Sequence, residues 1–416
     1  MQLKRVVVTG LGALTPLGNN VRDFWDAMLK GVSGAGRITY FDTENYKSKI
    51  ACELKGFSVL DFIDPKLARR MDPCSHYAIV ATMEALADSG LDLQSEARER
   101  IGVVIGSGVG GFAAATESAR TLIADNGIPR FSPFLIPRVV SDSIAGNISI
   151  QFDLRGPNFV VSSACASAAN AIAEAANLIM LGKSDVIVTG GSEACIVPET
   201  VAGFMAMHAL SSRNDDPATA SRPFDVGRDG FVIGEGAATV ILEEYEHAVA
   251  RGAKIYAELA GYGLSADAYH ITAPHPEGNG AYTSMKSAIE SAGLRITDID
   301  HINMHGTSTQ QGDISECKAI ERLFGDHSLN LVLNSTKSMT GHLLGAGAAV
   351  ETVATVLALQ NGVVPPTINQ FERDPQINPE WNMAANAPVK REIHTALCNS
   401  FGFGGHNVSL LFKKII

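Results

Sequence analysis

One pattern occurs twice along the chain: an apolar strand runs into a corner of small and polar residues, and a long apolar helix follows. The first corner spans 162–168, and a helical stretch over 168–181 follows, closed by Gly182. The second corner spans 337–342, and a helical stretch over 343–360 follows it. A repeated strand–corner–helix unit is typical of a duplicated α/β fold. The pattern therefore predicts two similar halves whose corners face each other across a pseudo-twofold axis.

The remaining strands predict where the halves divide. A strand over 238–243 and a short helix ending at Arg251 close the first half, and a strand over 255–263 opens the second. The 40 glycines cluster at the ends of predicted strands, where an α/β protein brings backbones close together. We expect an α/β chain with a first half at 1–253 and a second half at 254–416.

Composition and charge exclude several classes of function. The chain carries 33 Lys and Arg against 44 Asp and Glu, a net charge of −11 without a basic run, which argues against nucleic acid as a partner. No stretch of about 18 or more apolar residues is free of polar breaks, so we expect no membrane span. The six cysteines are scattered without a CxxC pair, which indicates a reducing compartment and neither a disulfide framework nor a zinc site. Since a strand over 5–9 follows the N-terminus without a signal segment, we expect a cytoplasmic protein.

Cys165 lies on the first corner, next to the first turn of the predicted helix. Unpaired N–H groups and the positive end of the helix dipole lower the pKa of a cysteine there and favour the thiolate. The small neighbours leave room for a substrate carbonyl, so the corner is typical of a nucleophile on a strand-to-helix elbow. The alternative is a buried structural cysteine, since free cysteines are among the most buried residues. The corner alone leaves both interpretations open.

Two histidines follow strands of the second half, where α/β proteins place their sites. His305 and His342 each have a Gly and a Thr beside them. A lone histidine is more often a core or surface residue, but two on equivalent corners favour a functional site. A metal would need further ligands at suitable spacing, so we expect none.

Other stretches admit simpler interpretations. The glycine-ended strand at 4–12 lacks the third glycine of a dinucleotide fingerprint, and 101–111 lacks the GxxxxGK[ST] of a phosphate cradle. The apolar, proline-bounded loop at 131–137 lines either a greasy pocket or an interface. A cationic cluster on the segment 64–71 is either a solvated face or a dock for an acidic partner. Its members are Lys66, Arg69 and Arg70.

Taken together, the corners resemble those of a known family. The motifs that carry the resemblance are Ser-Ala-Cys165-Ala-Ser, His305-Gly-Thr-Ser-Thr, Ser-Thr-Lys337-Ser-Met-Thr-Gly-His342 and Asn-Ser-Phe401-Gly-Phe403-Gly-Gly. In this order and spacing they are similar to the β-ketoacyl-acyl-carrier-protein synthases over essentially the whole chain. The segment 267–270 and the closing loop resemble synthase II, the type that elongates longer acyl chains. The resemblance implies a thiolase-like fold, two duplicated halves in a five-layered α-β-α-β-α sandwich, in a homodimer.

The resemblance also implies a reaction and its residues. Malonyl-carrier protein would lose CO₂ and condense with an enzyme-bound acyl group, without a cofactor. Cys165 would carry the acyl group, and its N–H with that of Phe403 would form the oxyanion hole. His305 and His342 would hold the enolate. Lys337 would tune the histidines and hold the corner, and as a buried cation it needs a carboxylate partner. The candidate partners are Asp313 and Glu351.

The same resemblance assigns residues around the reacting centre. Phe401 would be a gate for the acyl chain, and the gate would include Gly402, Gly404, Gly405 and Asp267. The acyl pocket would be lined by Val109, Phe134 and Leu135. The cations at 66, 69 and 70 match the family's docking patch for the acidic acyl carrier protein, which favours the docking interpretation.

Departures and rival readings are few. Gln310 stands where a proline usually follows the His-Gly-Thr-Ser-Thr motif, and His208 where an arginine often binds the carrier. A thiolase would carry a second cysteine in the closing loop, and a synthase III would have an asparagine at position 342. A non-catalytic chain-length partner would lack Cys165. A cysteine hydrolase has no use for a second histidine. A condensing enzyme of a polyketide or specialised acyl pathway remains the alternative function. For the location, the alternative to a bacterial cytoplasm is the stroma or matrix of an organelle, after removal of a transit peptide.

Overall fold

A computed structural model describes residues 3–415, which form thirteen α-helices and fourteen β-strands. The helices are α1 (Val21–Leu29), α2 (Pro65–Ala68), α3 (Pro73–Ser89), α4 (Phe112–Ala124), α5 (Leu135–Val139), α6 (Ser143–Phe152), α7 (Ser167–Met180), α8 (Pro198–Ala206), α9 (Tyr245–Ala250), α10 (Asn279–Ser291), α11 (Gln310–Phe324), α12 (Lys337–Thr340) and α13 (Gly347–Asn361). The strands are β1 (Val6–Leu14), β2 (Gly36–Arg37), β3 (Ile50–Ala51), β4 (Ile101–Gly106), β5 (Asn158–Val161), β6 (Val186–Glu193), β7 (Gly236–Glu244), β8 (Ala257–Ala266), β9 (His301–Asn303), β10 (Val332–Asn334), β11 (Val363–Val364), β12 (Val389–Lys390), β13 (Thr395–Gly402) and β14 (His406–Lys413).

Ten strands form one mixed sheet in the order β10-β9-β13-β14-β8-β1-β7-β6-β4-β5. Counted outward from the antiparallel β1–β8 pair, each side has two antiparallel pairings followed by two parallel ones. The first half of the chain supplies one side and the second half supplies the other. The predicted α/β fold with two duplicated halves is thus confirmed, whereas the boundary at 253/254 stays a prediction.

The two helices that follow the corners, α7 and α13, lie in the middle of the molecule. Almost every residue of α13 is buried, and a helix that is apolar on all sides needs protein on all sides. One core cluster joins α7 and α13 to strands of both halves. A second cluster packs α3 and α6 on the outer face of the first half, and a third packs α10 and α11 on the outer face of the second. The two five-stranded sides of the sheet thus form two layers that enclose α7 and α13, and the order of layers is helix, sheet, helix, sheet, helix, the predicted five-layered sandwich.

The helices begin and end close to the predicted positions. Helix α7 starts one residue before the predicted start, and Gly182, with φ +68°, follows its end. Helix α13 starts at Gly347, later than predicted, because a 3₁₀ turn over 344–346 precedes it. Gly362 ends it in the left-handed conformation that favours glycine. Within 3–415, no helix combines the length and the apolar character needed to cross a bilayer.

Candidate active site

The corners of the two halves meet at one cavity of about 910 Å³. Cys165 from the first half and His305 and His342 from the second all line it. Phe401 and Phe403 of the closing loop line it as well. All five were predicted to share one site, and folding brings them together. The structure therefore places a sulfur and two imidazoles in one cavity.

Cys165 lies on a strained elbow between β5 and α7. Ala164 before it has φ +52°, a left-handed conformation that costs a non-glycine residue about 1 kcal/mol or more. Ser167 fixes this conformation, because its hydroxyl accepts a hydrogen bond from Ser163 N–H (2.9 Å) and donates one to the Ala164 carbonyl (2.6 Å). Ser400 of β13 donates to the Cys165 carbonyl (2.9 Å) and so ties the elbow to the second half. The sulfur is thus held towards the cavity from both halves.

The sequence argument for a lowered pKa at Cys165 is wrong. Burial raises the pKa of the thiol to about 11, and this outweighs the charge of Lys337 and the hydrogen bond from the Phe403 N–H, both of which lower it. The helix N-terminus does not compensate for the loss of water around the sulfur. The resting group is therefore a thiol. His342 Nε2 lies 3.0 Å from Sγ and is the nearest group that can take its proton.

The two histidine rings stand nearly perpendicular, with centroids 5.5 Å apart. Burial, followed by the charge of Lys337, lowers the pKa of both rings well below the ordinary value of 6.5, so both are neutral. Lys337 Nζ lies 3.3 Å from His305 Nδ1. Since an ammonium group can only donate, Nδ1 accepts and the ring proton lies on Nε2. His305 is therefore a hydrogen-bond donor through Nε2.

Lys337 lies behind the histidines and does not line the cavity. Its ammonium group forms a short, fully buried ion pair with Glu351 of α13. The prediction of Asp313 as the alternative partner of Lys337 is wrong. The Asp313 carboxylate lies 3.5 Å from the guanidinium of Arg228 and accepts the N–H of Phe224 (2.9 Å), so it belongs to a neighbouring ion pair.

The closing loop is the hairpin between β13 and β14. The centroid of the Phe401 ring lies 5.8 Å from that of the His305 ring. Gly404 and Gly405 have φ of +86° and +75°, a backbone conformation that favours glycine. Asp267 touches the loop, since its N–H donates to the Gly405 carbonyl (2.9 Å). Gly402 precedes the turn and lines the cavity. A gating movement of Phe401 stays a prediction.

The structure separates the three residues that were predicted to line the acyl pocket, and their role towards an acyl chain stays a prediction. Val109 lines the cavity, but Phe134 and Leu135 lie outside it in the single chain. Helix α5 packs on α4, and Arg138 forms an ion pair with Glu117 (2.9 Å). Phe134 instead lies beneath the guanidinium of Arg70, 4.8 Å from the ring centre.

The cationic cluster is exposed, as a docking surface requires. Lys66, Arg69 and Arg70 all lie on or directly after α2, a short helix that Asp64 caps. None of the three forms a salt bridge within the part of the chain that the structure describes. Their role towards a carrier protein stays a prediction.

Two buried carboxylates beside the cavity were not predicted from the sequence. Glu316 accepts the N–H groups of His305 (2.9 Å) and Gly306 (3.0 Å) and so fixes the turn that carries the histidine. Glu193, at the end of β6, binds the segment around Val109. Both are acidic residues on otherwise buried elements, which is the signal that could have identified them.

Two family models match the chain. The model described as "Beta-ketoacyl synthase, N-terminal domain" matches residues 3–248, and "Beta-ketoacyl synthase, C-terminal domain" matches 256–371. The chain belongs to the β-ketoacyl synthase family. A curated relative, 3-oxoacyl-[acyl-carrier-protein] synthase 2 of Staphylococcus aureus, is 48% identical over 413 residues, 99% of each chain. The protein of the same name from Vibrio harveyi is 46% identical over 416 residues, 100% of each chain.

A solved structure of a type II polyketide ketosynthase, bound to the hexaketide and in complex with its acyl carrier protein, superimposes on this β-ketoacyl synthase with a TM-score of 0.92. It is 32% identical, and the match covers 100% of both chains. The family assignment and the fold therefore agree.

Alkylation offers a test of the nucleophile. Of the six cysteines, all within the described residues, Cys165 lines the cavity, and its pKa of about 11 is below the value of about 12 at Cys52 and Cys398. We expect iodoacetamide to label Cys165 first. Because only the thiolate reacts and its fraction rises about tenfold per pH unit below the pKa, the rate should keep rising up to pH 10.

Peptide mass mapping after graded alkylation measures both the order and the pH dependence. Faster labelling of any other cysteine would contradict the assignment. A rate that levels off near pH 7 would mean that the thiol is more acidic than its burial indicates.

Proposed function

We propose that this β-ketoacyl synthase condenses malonyl-acyl-carrier protein with an acyl group bound to Cys165, giving 3-oxoacyl-carrier protein in fatty acid elongation. The observation that carries the proposal is the shared cavity, in which a thiol lies 3.0 Å from one neutral imidazole and the second imidazole is hydrogen-bonded to a buried lysine. The curated relatives with 46–48% identity over the full chain carry the name of this activity.

In the first half-reaction the sulfur takes the acyl group. His342 Nε2 accepts the thiol proton, and the thiolate attacks the carbonyl of acyl-carrier protein. The oxyanion binds to the N–H groups of Cys165 and Phe403, of which the second already points at the sulfur. The C–S bond to the carrier breaks, and the carrier thiolate leaves with the proton that His342 took.

In the second half-reaction malonyl-carrier protein enters the same cavity. Once Cys165 is acylated, His342 Nε2 no longer faces a thiol proton, and because Nδ1 has no hydrogen-bond partner among the described residues, the ring proton moves from Nδ1 to Nε2. The thioester oxygen of malonyl-carrier protein then accepts hydrogen bonds from His305 Nε2 and His342 Nε2. The bond to the carboxylate breaks, CO₂ leaves, and its electron pair forms an enolate that the two neutral donors stabilise. The enolate carbon attacks the Cys165 thioester, a C–C bond forms, and the Cys165 thiolate leaves. Solvent supplies the proton that restores the thiol when the product departs, and this is the one proton that the overall reaction consumes. Exclusion of water protects the enolate from protonation.

The rival functions fit the site less well. The closing loop has Phe401 and Phe403 at the cavity and no second cysteine, which disfavours a thiolase. A polyketide pathway is the second candidate, because a solved polyketide ketosynthase shares the fold. Its 32% identity is lower than the 48% to a curated synthase 2, so fatty acid elongation is favoured.

One assay separates these functions. The purified protein is incubated with malonyl-carrier protein and acyl-carrier proteins of graded length, and the products are identified by mass. A saturated acyl donor extended once by two carbons supports the proposal. Repeated extension to a poly-β-keto chain supports the polyketide alternative, and free acid or unchanged donor contradicts both.

We propose that the cations at 66, 69 and 70 dock the acyl carrier protein, which is acidic. The protein itself carries a net charge of −11, so a local cationic cluster is needed to attract an acidic partner. We expect Lys66→Glu with Arg69→Glu to raise KM for carrier-linked substrates about tenfold and to leave kcat within about twofold, since a rim charge affects encounter more than chemistry.

The steady-state rate at two salt concentrations checks this docking proposal. Lys30→Glu with Lys390→Glu, at two exposed lysines outside the cluster, makes the same change of −4 in net charge and is the control. An unchanged KM in the double variant, or an equal rise in the control, would move the docking surface elsewhere.

We propose that the protein is a homodimer formed through β5. This strand is the last of the sheet and carries the partly exposed Phe159, and the helix α6 that packs on it carries the exposed Ile150 (82% exposed). An uncovered apolar edge is an aggregation hazard, and a second copy covers it symmetrically.

We expect sedimentation to give twice the chain mass of 43.9 kDa. Ile150→Asp should shift the equilibrium towards monomer, whereas Leu329→Asp, at a partly exposed leucine near β10, should not. A monomeric wild type at micromolar concentration would contradict the proposal.

A further inference from the structure

Glu193 is a fully buried carboxylate that no step of the proposed reaction uses. It ends β6, and its carboxylate accepts four hydrogen bonds. Oε1 accepts from the Ser107 hydroxyl (3.0 Å) and the Val109 N–H (3.2 Å). Oε2 accepts from the N–H groups of Gly108 (2.8 Å) and Gly345 (3.0 Å). One carboxylate thus bridges the loop after β4, in the first half, to the turn after His342, in the second.

The two bridged segments are in direct backbone contact. A Cβ on Gly345 would lie 2.2 Å from the nitrogen of Gly108, and a Cβ on Gly108 would lie 2.9 Å from Glu193 Oε2. Only glycine fits at these positions. The separation of the two segments is therefore set by glycine packing and by the carboxylate that accepts hydrogen bonds from both.

Both segments are walls of the cavity beside Cys165. Gly108 and Val109 of the first segment and Leu344 of the second line it. Leu344 has φ +46°, a conformation that persists for a non-glycine residue only where its surroundings hold it. The hydrogen bond from the next residue, Gly345, to Glu193 supplies that restraint. Loss of the carboxylate would release both walls at once.

We propose that Glu193 is a positioning residue that sets the distance between Val109 and Leu344 and thereby the width of the acyl chain that reaches Cys165. This inference rests on the proposed function, since it assigns this part of the cavity to the acyl group. Burial raises the pKa of Glu193 to about 7, against the effect of its four donors. A carboxyl group kept at such a cost beside a cavity is typical of a functional site.

The test uses Glu193→Gln in the full-length protein. The amide keeps the volume but has one acceptor oxygen, so its NH₂ group faces backbone N–H groups that also donate. The walls then separate, because the unpaired donors need water. Equal amounts of a short straight-chain and a branched medium-chain acyl-carrier protein compete for Cys165, and intact-protein mass spectrometry gives the ratio of the two acyl-enzymes.

We expect Glu193→Gln to raise the ratio of branched to short acyl-enzyme at least fivefold. The matched control is Glu235→Gln, a buried carboxylate that accepts from Tyr40, Tyr77 and Leu54 N–H and does not line the cavity. This control measures the general effect of losing a buried carboxylate away from the cavity. Its ratio of branched to short acyl-enzyme should equal that of the wild type.

An unchanged or lowered ratio in Glu193→Gln, or the same rise in the control, would overturn the inference. If Glu193→Gln does not fold, Ser107→Ala removes one of the four hydrogen bonds and should raise the ratio about twofold, and no rise would overturn the inference equally. A wild type that forms no acyl-enzyme would refute the proposed function itself, so the two failures are distinguishable.

Discussion

His305→Ala will lower the decarboxylation of malonyl-carrier protein by about 100-fold or more, whereas acyl loading of Cys165 will fall by less than about tenfold. The ring of His305 is oriented by Lys337 so that Nε2 donates into the cavity, and its centroid lies 5.5 Å from that of His342. Its donor is needed where the enolate develops. The loading step develops its charge on the oxyanion at Cys165 and Phe403 instead.

His342→Ala will also lower decarboxylation more than acyl loading, but the difference between the two losses will be smaller than in His305→Ala. His342 Nε2 touches the sulfur, so this variant also loses the group that takes the thiol proton. The mass of the acyl-enzyme measures acyl loading, the first half-reaction, and release of labelled CO₂ from malonyl-carrier protein measures decarboxylation in the second. His301→Ala, at a buried neutral histidine of β9 bonded to the Val332 carbonyl, is the control for general damage. Equal losses of decarboxylation and loading in His305→Ala would contradict the division of roles.

Much of the fold can be predicted from the sequence because the chain contains the same strand–corner–helix unit twice. Glycines 182 and 362 end the two central helices where the pattern predicts, since each adopts a positive φ that other residues avoid. Duplication doubles the evidence for each unit, and it also predicts that the two corners meet. The element that the pattern misplaced is the start of α13, because a 3₁₀ turn has no periodicity of its own to detect.

The sequence predicts the site where the residue type determines the chemistry. It does not predict properties that depend on the folded surroundings, such as a pKa or an ion-pair partner. Cys165, His305 and His342 were predicted from their corners and share the cavity. The pKa of Cys165 was predicted in the wrong direction, because desolvation depends on how deeply the folded chain buries the sulfur. The partner of Lys337 could not be chosen between two carboxylates, since the sequence holds no distances. Glu193 was missed because its four donors come from segments far apart in the chain.

Lys337→Met will destabilise the protein by about 3 to 5 kcal/mol at neutral pH, because it leaves the carboxylate of Glu351 buried without its counter-charge. Burial already raises the pKa of Glu351 above its ordinary value of 4.5, and Lys337 is the group that lowers it. Without the ammonium group the folded-state pKa rises further. The folded variant then binds a proton that the unfolded chain has released above pH 4.5, so stability falls as pH rises. Denaturant unfolding should therefore show a larger deficit against the wild type at pH 8 than at pH 5.

The double variant Lys337→Met with Glu351→Gln separates the structural role of the lysine from its role towards His305. Both charges are gone, so we expect stability to return to within about 1 kcal/mol of the wild type, as for other buried ion pairs replaced as a unit. Decarboxylation should remain impaired by about tenfold or more, because His305 Nδ1 has lost the donor that keeps the ring proton on Nε2. Recovery of both stability and decarboxylation would mean that Lys337 only holds the corner together. A deficit in Lys337→Met that does not depend on pH would mean that the Glu351 carboxylate is not the group left unpaired.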